Sequence, residues 1–390
     1  MTDSKRDERL RRDRLGKLQR EMKKHHIGAM VLCNPVNVRF ATGVSVMPIW
    51  TSVNLARYAV VPPEGDPQLF EYGKALFRAT AVWPKSRPAR YWQQRFSQYK
   101  AVEAGLAWAD DIVELMREWG TTGGKVAIDI LDHYGYSSLL ARGLTVCDAD
   151  EPLDEAKLVK TEDEIALLRR SCEVADIALG DLERAIRPGI TENELMGVFW
   201  GKMISLGGEH CSTRLLVSGD KMNPWFYEAG DRKVEIGDLV GIDTDMIGPE
   251  GYLCDISRTF LCGEKPNDDQ KEAYRIAYDF IQQTIELCQV GVNYEDIMAR
   301  APRSRPEYVE QSYSCMIHGS GLDDEPPFFP YPEQNGLVPR GELKENMVLS
   351  VEYYAGKKGK RDGVKLEEQI LLTKNGPELL SHFPFESRLL

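Results

Sequence analysis

Gly241-Ile242-Asp243-Thr244-Asp245-Met246-Ile247-Gly248-Pro249-Glu250-Gly251-Tyr252-Leu253-Cys254-Asp255-Ile256-Ser257-Arg258-Thr259-Phe260 sets three aspartates among apolar residues. Leu239, Val240 and Ile242 read as a buried strand, and Phe260 and Leu261 as part of another. Gly248 and Gly251 mark the turn between them. The expected product is a hairpin, with Asp243 and Asp245 on one strand and Asp255 leading into the other. Residues two apart on a strand share a face, so Asp243 and Asp245 should project together, and pairing should bring Asp255 beside them. Burying even one ionised carboxylate is costly. For three on one face, a divalent cation is the simplest remedy. A single aspartate here would be read as a turn cap in solvent.

Further donors lie downstream. His318 stands in His318-Gly319-Ser320-Gly321-Leu322-Asp323-Asp324-Glu325-Pro326-Pro327, and Glu352 in Leu349-Ser350-Val351-Glu352-Tyr353. Glu367 stands in Gly363-Val364-Lys365-Leu366-Glu367-Glu368-Gln369-Ile370. A lone histidine of this kind is usually structural, and a lone strand glutamate usually faces water. With the aspartates they supply one imidazole and five carboxylates. That set can hold two divalent ions with bridging oxygens.

The rest of the chain frames this cluster. Its 390 residues suit two domains. An apolar share of 42% is that of a globular protein with a real core. A net charge of -12 argues against nucleic acid as the main partner, since phosphate binding needs a basic surface. None of the eight cysteines forms a CxxC pair. Most lie in apolar stretches, as free thiols in a reducing compartment would. Residues 1–24 lack the apolar core of a signal peptide. No run approaches the ~20 apolar residues of a membrane span. The expectation is a soluble cytoplasmic protein.

Leu10, Leu15, Leu18 and Met22 give residues 5–25 the stripe of an amphipathic helix. Strands are expected at 27–32, 57–61, 68–72 and 125–129, helices at 107–119 and from 136, and a turn at Asn34-Pro35-Val36-Asn37. This alternation predicts an α/β domain over residues 1–152. The acidic stretch Asp148-Ala149-Asp150-Glu151-Pro152-Leu153-Asp154-Glu155 is the candidate linker. Thr161 and Glu164 then form a capping box, and Thr191 and Glu194 repeat it. Helices at 270–287 and 294–299, with strands at 347–353 and 364–372, predict an α+β domain over residues 153–390.

Taken in order, Asp255-Ile256-Ser257-Arg258-Thr259, His318-Gly319-Ser320-Gly321-Leu322, Glu352 and Lys365-Leu366-Glu367-Glu368 resemble the creatinase/prolidase (methionine aminopeptidase-like, pita-bread) superfamily. Lys160-Thr161-Glu162-Asp163-Glu164-Ile165 resembles its linker helix. The resemblance implies a pita-bread metal domain, with ligands at Asp243 or Asp245, Asp255, His318, Glu352 and Glu367. Two features depart from its peptidases. Asp243-Thr244-Asp245 stands where they have one aspartate. Asp323-Asp324-Glu325-Pro326 stands where they carry a second histidine, the group that helps bind and polarise the scissile amide.

Both departures resemble the dimethylsulfoniopropionate lyase branch. So do Thr213-Arg214-Leu215-Leu216, Asn223-Pro224-Trp225-Phe226, Asn37-Val38-Arg39-Phe40-Ala41-Thr42, Met47-Pro48-Ile49-Trp50 and Phe383-Pro384-Phe385. That likeness implies both Asp243 and Asp245 in the metal set and Asp324 as the base. It implies substrate contacts at Tyr313, His318 and Trp50, the last from a partner subunit in a homodimer. It implies two divalent ions, iron ahead of manganese, zinc or cobalt. The expected reaction on a small-molecule substrate is β-elimination from dimethylsulfoniopropionate or a similar onium carboxylate. An Xaa-Pro dipeptidase or aminopeptidase is the alternative, and a non-catalytic binding module a third reading by fold analogy.

Overall fold

The computed structural model describes residues 4–334 and 336–390. The chain divides into two compact units, Met1–Lys157 and Leu158–Leu390.

In the first unit the opening helix, Ser4–Lys24, buries the expected stripe of Leu10, Leu15, Leu18 and Met22. The strands are β1 (Ile27–Leu32), β2 (Tyr58–Val61), β3 (Gln68–Glu71), β4 (Arg87–Pro88), β5 (Lys125–Ile128) and β6 (Val146–Asp148). They form one mixed sheet in the order β4-β3-β2-β1-β5-β6. β1, β2 and β3 are buried along their whole length, which is why β1 and β2 read as continuous apolar runs. Tyr58, Phe70, Trp92 and Trp108 stack in the core.

Two expectations change here. Asn34 does not open a turn; it caps the helix Pro35–Thr42, its side chain accepting from the Val36 N–H at 2.9 Å. Pro35 fits the first helical turn, where its missing N–H costs nothing. The acidic stretch expected as a linker is helical and ends just before the boundary between the two units. It is largely the helix Asp150–Leu158, which buries Leu153 and Ala156. Asp150 and Glu151 fall in its first turn, where the helix dipole favours them.

The second unit opens as expected. Thr161 with Glu164 caps the helix Glu162–Ala185, and Thr191 with Glu194 caps Glu192–Ser205. Its strands are β7 (His210–Cys211), β8 (Leu216–Ser218), β9 (Leu239–Asp243), β10 (Met246–Ile247), β11 (Leu253–Cys254), β12 (Ser257–Leu261), β13 (Ile317–Ser320), β14 (Asp324–Phe329), β15 (Val348–Gly356), β16 (Gly363–Thr373) and β17 (Gly376–Leu379). They form three sheets, β11-β10-β7, β12-β9-β8 and β14-β13-β15-β16-β17. The pairings are antiparallel throughout. The helix Asp268–Leu287 packs on β15 and β16, burying Ala273, Tyr274, Ala277, Phe280 and Ile281. The architecture is an N-terminal α/β domain followed by an α+β pita-bread domain.

The aspartate hairpin is real but differently drawn. β9 pairs with β12, placing Asp243 opposite Ser257. The strand stops at Asp243, because the Thr244 hydroxyl donates to Cys254 O at 2.9 Å and accepts from Ile256 N–H at 3.1 Å. Asp245 then takes a left-handed backbone with φ 37. Asp243 and Asp245 therefore do not share one strand face. Gly248 and Gly251 lie in the turn of the smaller hairpin β10–β11.

Candidate metal centre

Four strands and the connection before β12 deliver the site. Asp243 ends β9, and Asp255 lies two residues before β12. His318 sits on β13, whose neighbour β15 carries Glu352. Glu352 lies directly across from Glu367 on β16. The five side chains are buried. Asp245 is also brought in: its backbone N–H donates to Asp255 Oδ1 at 3.4 Å, and its carboxylate accepts from the Thr213 hydroxyl.

Nε2 of His318 faces Asp255 Oδ2 at 3.6 Å, Glu352 Oε1 at 3.7 Å and Glu367 Oε1 at 3.4 Å. Ligands about 2.0–2.2 Å from one ion are separated by about this much. Glu367 Oε1 is buried and has no hydrogen-bond partner. A buried orphan oxygen aimed at an imidazole and two more carboxylates fits a divalent ion, which would satisfy it. Among the described residues at this site, three groups offer ligand atoms within 4.8 Å of one another: Asp255, His318 and Glu367; Asp243, Glu352 and Glu367; and Asp245, Asp255 and Asp324. Glu367 and Asp255 each belong to two groups, so the set suits two ions sharing bridging carboxylates.

The electrostatics agree with a cation. Burial pushes the carboxyls of Asp243, Asp245 and Glu352 up to about 7, and Asp255 well above the usual range. Burial acts in the same direction on Glu367, but Lys365 and His318 outweigh it and hold its carboxyl far below normal. For His318, burial opposes the imidazolium. Glu367, Asp324 and Glu352 overcome that opposition and push it up to about 10. Carboxylates that resist ionising and an imidazole that holds a proton are what a metal would reverse.

A cavity of about 250 Å³ opens over these residues, lined also by Tyr313, Cys315, Asp324 and Phe328. Asp324 opens β14 and is half-exposed, with Oδ1 3.6 Å from His318 Nδ1. Burial raises its carboxyl, while His318 draws it down. Its neighbour Glu325 turns the other way, into a buried pair with Lys160 at 2.6 Å. Tyr313 stacks on Phe226, centroids 5.0 Å apart, and Lys365 Nζ lies 4.7 Å from its ring centre. Trp50 belongs to the first unit, on the helix Pro48–Val53, packed on Tyr72 and Phe96.

Three contributors had no reading from sequence. Lys365 and Ser257 touch the carboxylates directly. Phe328 lies parallel to His318, centroids 6.3 Å apart. Its place on the same side of β14 as Asp324 was readable from strand alternation. Strand alternation puts Lys365 on the same face as Glu367, but gives no sign of its carboxylate partners on other strands.

Two family models match the chain: the creatinase/prolidase N-terminal domain over residues 14–169, and metallopeptidase family M24 over residues 166–374. The dimethylsulfoniopropionate lyase DddP of Roseovarius nubinhibens is 30% identical, covering 98% of this chain and 88% of that protein. The Xaa-Pro dipeptidase of Pyrococcus furiosus is 26% identical, covering 95% of this chain and 98% of that one. Among solved structures, the prolidase of Pyrococcus horikoshii superposes with TM-score 0.73 at 25% identity, over 97% of this chain and 99% of that chain. An Xaa-Pro dipeptidase of Bacillus anthracis gives TM-score 0.77 at 21% identity, over 96% and 98%.

Proposed function

The chain belongs to metallopeptidase family M24, behind a creatinase/prolidase N-terminal domain, and on that premise we propose that it is a metal-dependent carbon–sulfur lyase. Its substrate is dimethylsulfoniopropionate or a similar onium carboxylate, cleaved to dimethyl sulfide and acrylate by β-elimination. The observation that carries this is Asp324, a half-exposed carboxylate in the cavity beside His318. It occupies the segment where the family's peptidases place their second histidine.

Asp243, Asp245, Asp255, His318, Glu352 and Glu367 would hold two divalent ions. Bound there, the ions would grip the substrate carboxylate and offset the negative charge that develops on it. Asp324 removes a proton from the carbon next to that carboxylate. The electron pair left behind becomes the new C=C bond, and the C–S bond breaks with its pair going to sulfur. Dimethyl sulfide leaves neutral, acrylate keeps the carboxylate, and the proton rests on Asp324. A carboxyl raised by burial is a better base than an ordinary one. The rings of Tyr313 and Phe328 line the same cavity, and an aromatic face attracts a sulfonium by ~0.5–2 kcal/mol. Trp50 adds a further ring from the partner subunit of a homodimer.

In the same proposal the metal is iron, consistent with carboxylate and imidazole ligands, which also suit manganese, zinc or cobalt. The cytoplasm is the compartment, in keeping with eight free thiols. Among the described residues, no helix is long and apolar enough to cross a membrane.

The metal residues would equally serve an Xaa-Pro dipeptidase, the reading favoured by the dipeptidase relatives. Glu325, held by Lys160, is not free to replace the missing histidine. Incubating metal-replete protein with dimethylsulfoniopropionate and with an Xaa-Pro dipeptide separates the two. Acrylate without dipeptide hydrolysis supports the lyase, and the converse supports the peptidase.

A further inference from the structure

Lys365 has no part in the steps above, yet it is the most enclosed cation of the centre. Its place follows from strand geometry. Lys365 and Glu367 are two apart on β16 and share a face, and Glu352 lies directly across from Glu367. Like charges directly opposed on neighbouring strands repel. Nζ of Lys365 meets both, at 2.7 Å from Glu352 Oε2 and 3.2 Å from Glu367 Oε2. It also reaches Asp243 Oδ2 at 3.0 Å and the Ser257 hydroxyl at 2.9 Å. Ser257 itself donates to Asp243 Oδ1 or Glu367 Oε2, at 2.8 and 2.9 Å.

The oxygens are thereby divided. Oε2 of each glutamate is held by Lys365, while Oε1 of each is left facing His318 Nε2.

We propose that Lys365 is the positioning residue of this centre: it engages one oxygen of Glu352 and of Glu367 so that the other faces the metal. This rests on the metal-dependent reading of the site and is independent of which reaction the site performs. Groups that orient metal ligands from behind commonly contribute 10–100-fold in metal affinity.

The test uses the full chain, stripped with a chelator and titrated with manganese(II) alone. Ions per chain are measured by elemental analysis, and dissociation constants by chelator competition. Wild type should take two ions. Lys365→Met, which removes the charge and keeps the length, should bind them about 10–100-fold more weakly, with its second ion lost first. Lys365→Arg, which restores N–H donors to the two glutamates, should regain most of that affinity. Lys365→Met binding two ions as tightly as wild type would overturn the proposal, and so would Lys365→Arg binding as weakly as Lys365→Met. A wild type that binds no ion would overturn the metal reading itself, a different result. If thermal melting shows Lys365→Met unfolded, Ser257→Ala carries the test. It removes one of the four partners of Lys365 and should weaken binding severalfold, and unchanged affinity would overturn the proposal.

Discussion

Asp324 and Glu325 are neighbours with opposite environments, one half-exposed in the cavity and the other paired with Lys160. Asp324→Asn should therefore lower kcat by about 10²–10⁴ with metal content unchanged. Acrylate release measured alongside elemental analysis checks this, and a parallel loss of metal would make Asp324 a ligand rather than the base. The raised carboxyls give a second expectation. Asp243, Asp245 and Glu352 titrate near 7 in the metal-free centre, and His318 near 10. All four must lose their protons to bind metal, so binding at pH 6 should release protons, and affinity should rise with pH up to about 7. Above that the rise continues, as His318 still holds a proton. Calorimetry in two buffers of different ionisation enthalpy reads the release directly. The folding sign is the reverse. Metal-free folded protein holds more protons on these carboxyls than the unfolded chain. Their contribution to its stability should thus fall as pH rises from ~4 to about 7.

β12 and β16 join the two sheets that carry the ligands, and Arg258 is the joint. Its guanidinium donates to Glu367 O at 2.8 Å, Glu368 Oε1 at 2.7 Å and Phe383 O at 2.7 Å, and it lies 4.5 Å from the Phe385 ring centre. Arg258→Met leaves Glu368 buried without its partner and should cost about 3–5 kcal/mol, measured by denaturant unfolding. Thr161→Ala, which removes the cap of the helix Glu162–Ala185, should cost about 1 kcal/mol. Elements of this kind were legible in the sequence because their signals are local. The capping boxes, the apolar stripe of the first helix and the runs of β9, β15 and β16 all announce themselves within a few residues. Asp245 was misread because Thr244 bends the chain through bonds to residues ten and twelve positions away. Asn34-Pro35 was misread because a helix cap and a turn share the same residues. The role of Lys365 could not be assigned, since its partners on β9, β12 and β15 meet it only in the folded sheet.

At the scale of the whole chain, the ligand residues of the centre are separated by more than a hundred positions of sequence, from Asp243 to Glu367. Only the motifs, taken in order, tied them together before folding did. Their shared dependence on a cation gives a bulk expectation. Prolonged chelation should abolish activity, and adding back iron(II) or manganese(II) should restore it, with the melting temperature rising on metal binding. The most direct measurement is of product. Purified, metal-replete protein is incubated with dimethylsulfoniopropionate, and acrylate and dimethyl sulfide are quantified beside an Asp324→Asn control. The expected result is both products in equal amounts from the wild type, and a rate at least about a hundredfold lower from the variant. Metal-replete wild type that makes no acrylate, yet hydrolyses an Xaa-Pro dipeptide, would contradict it.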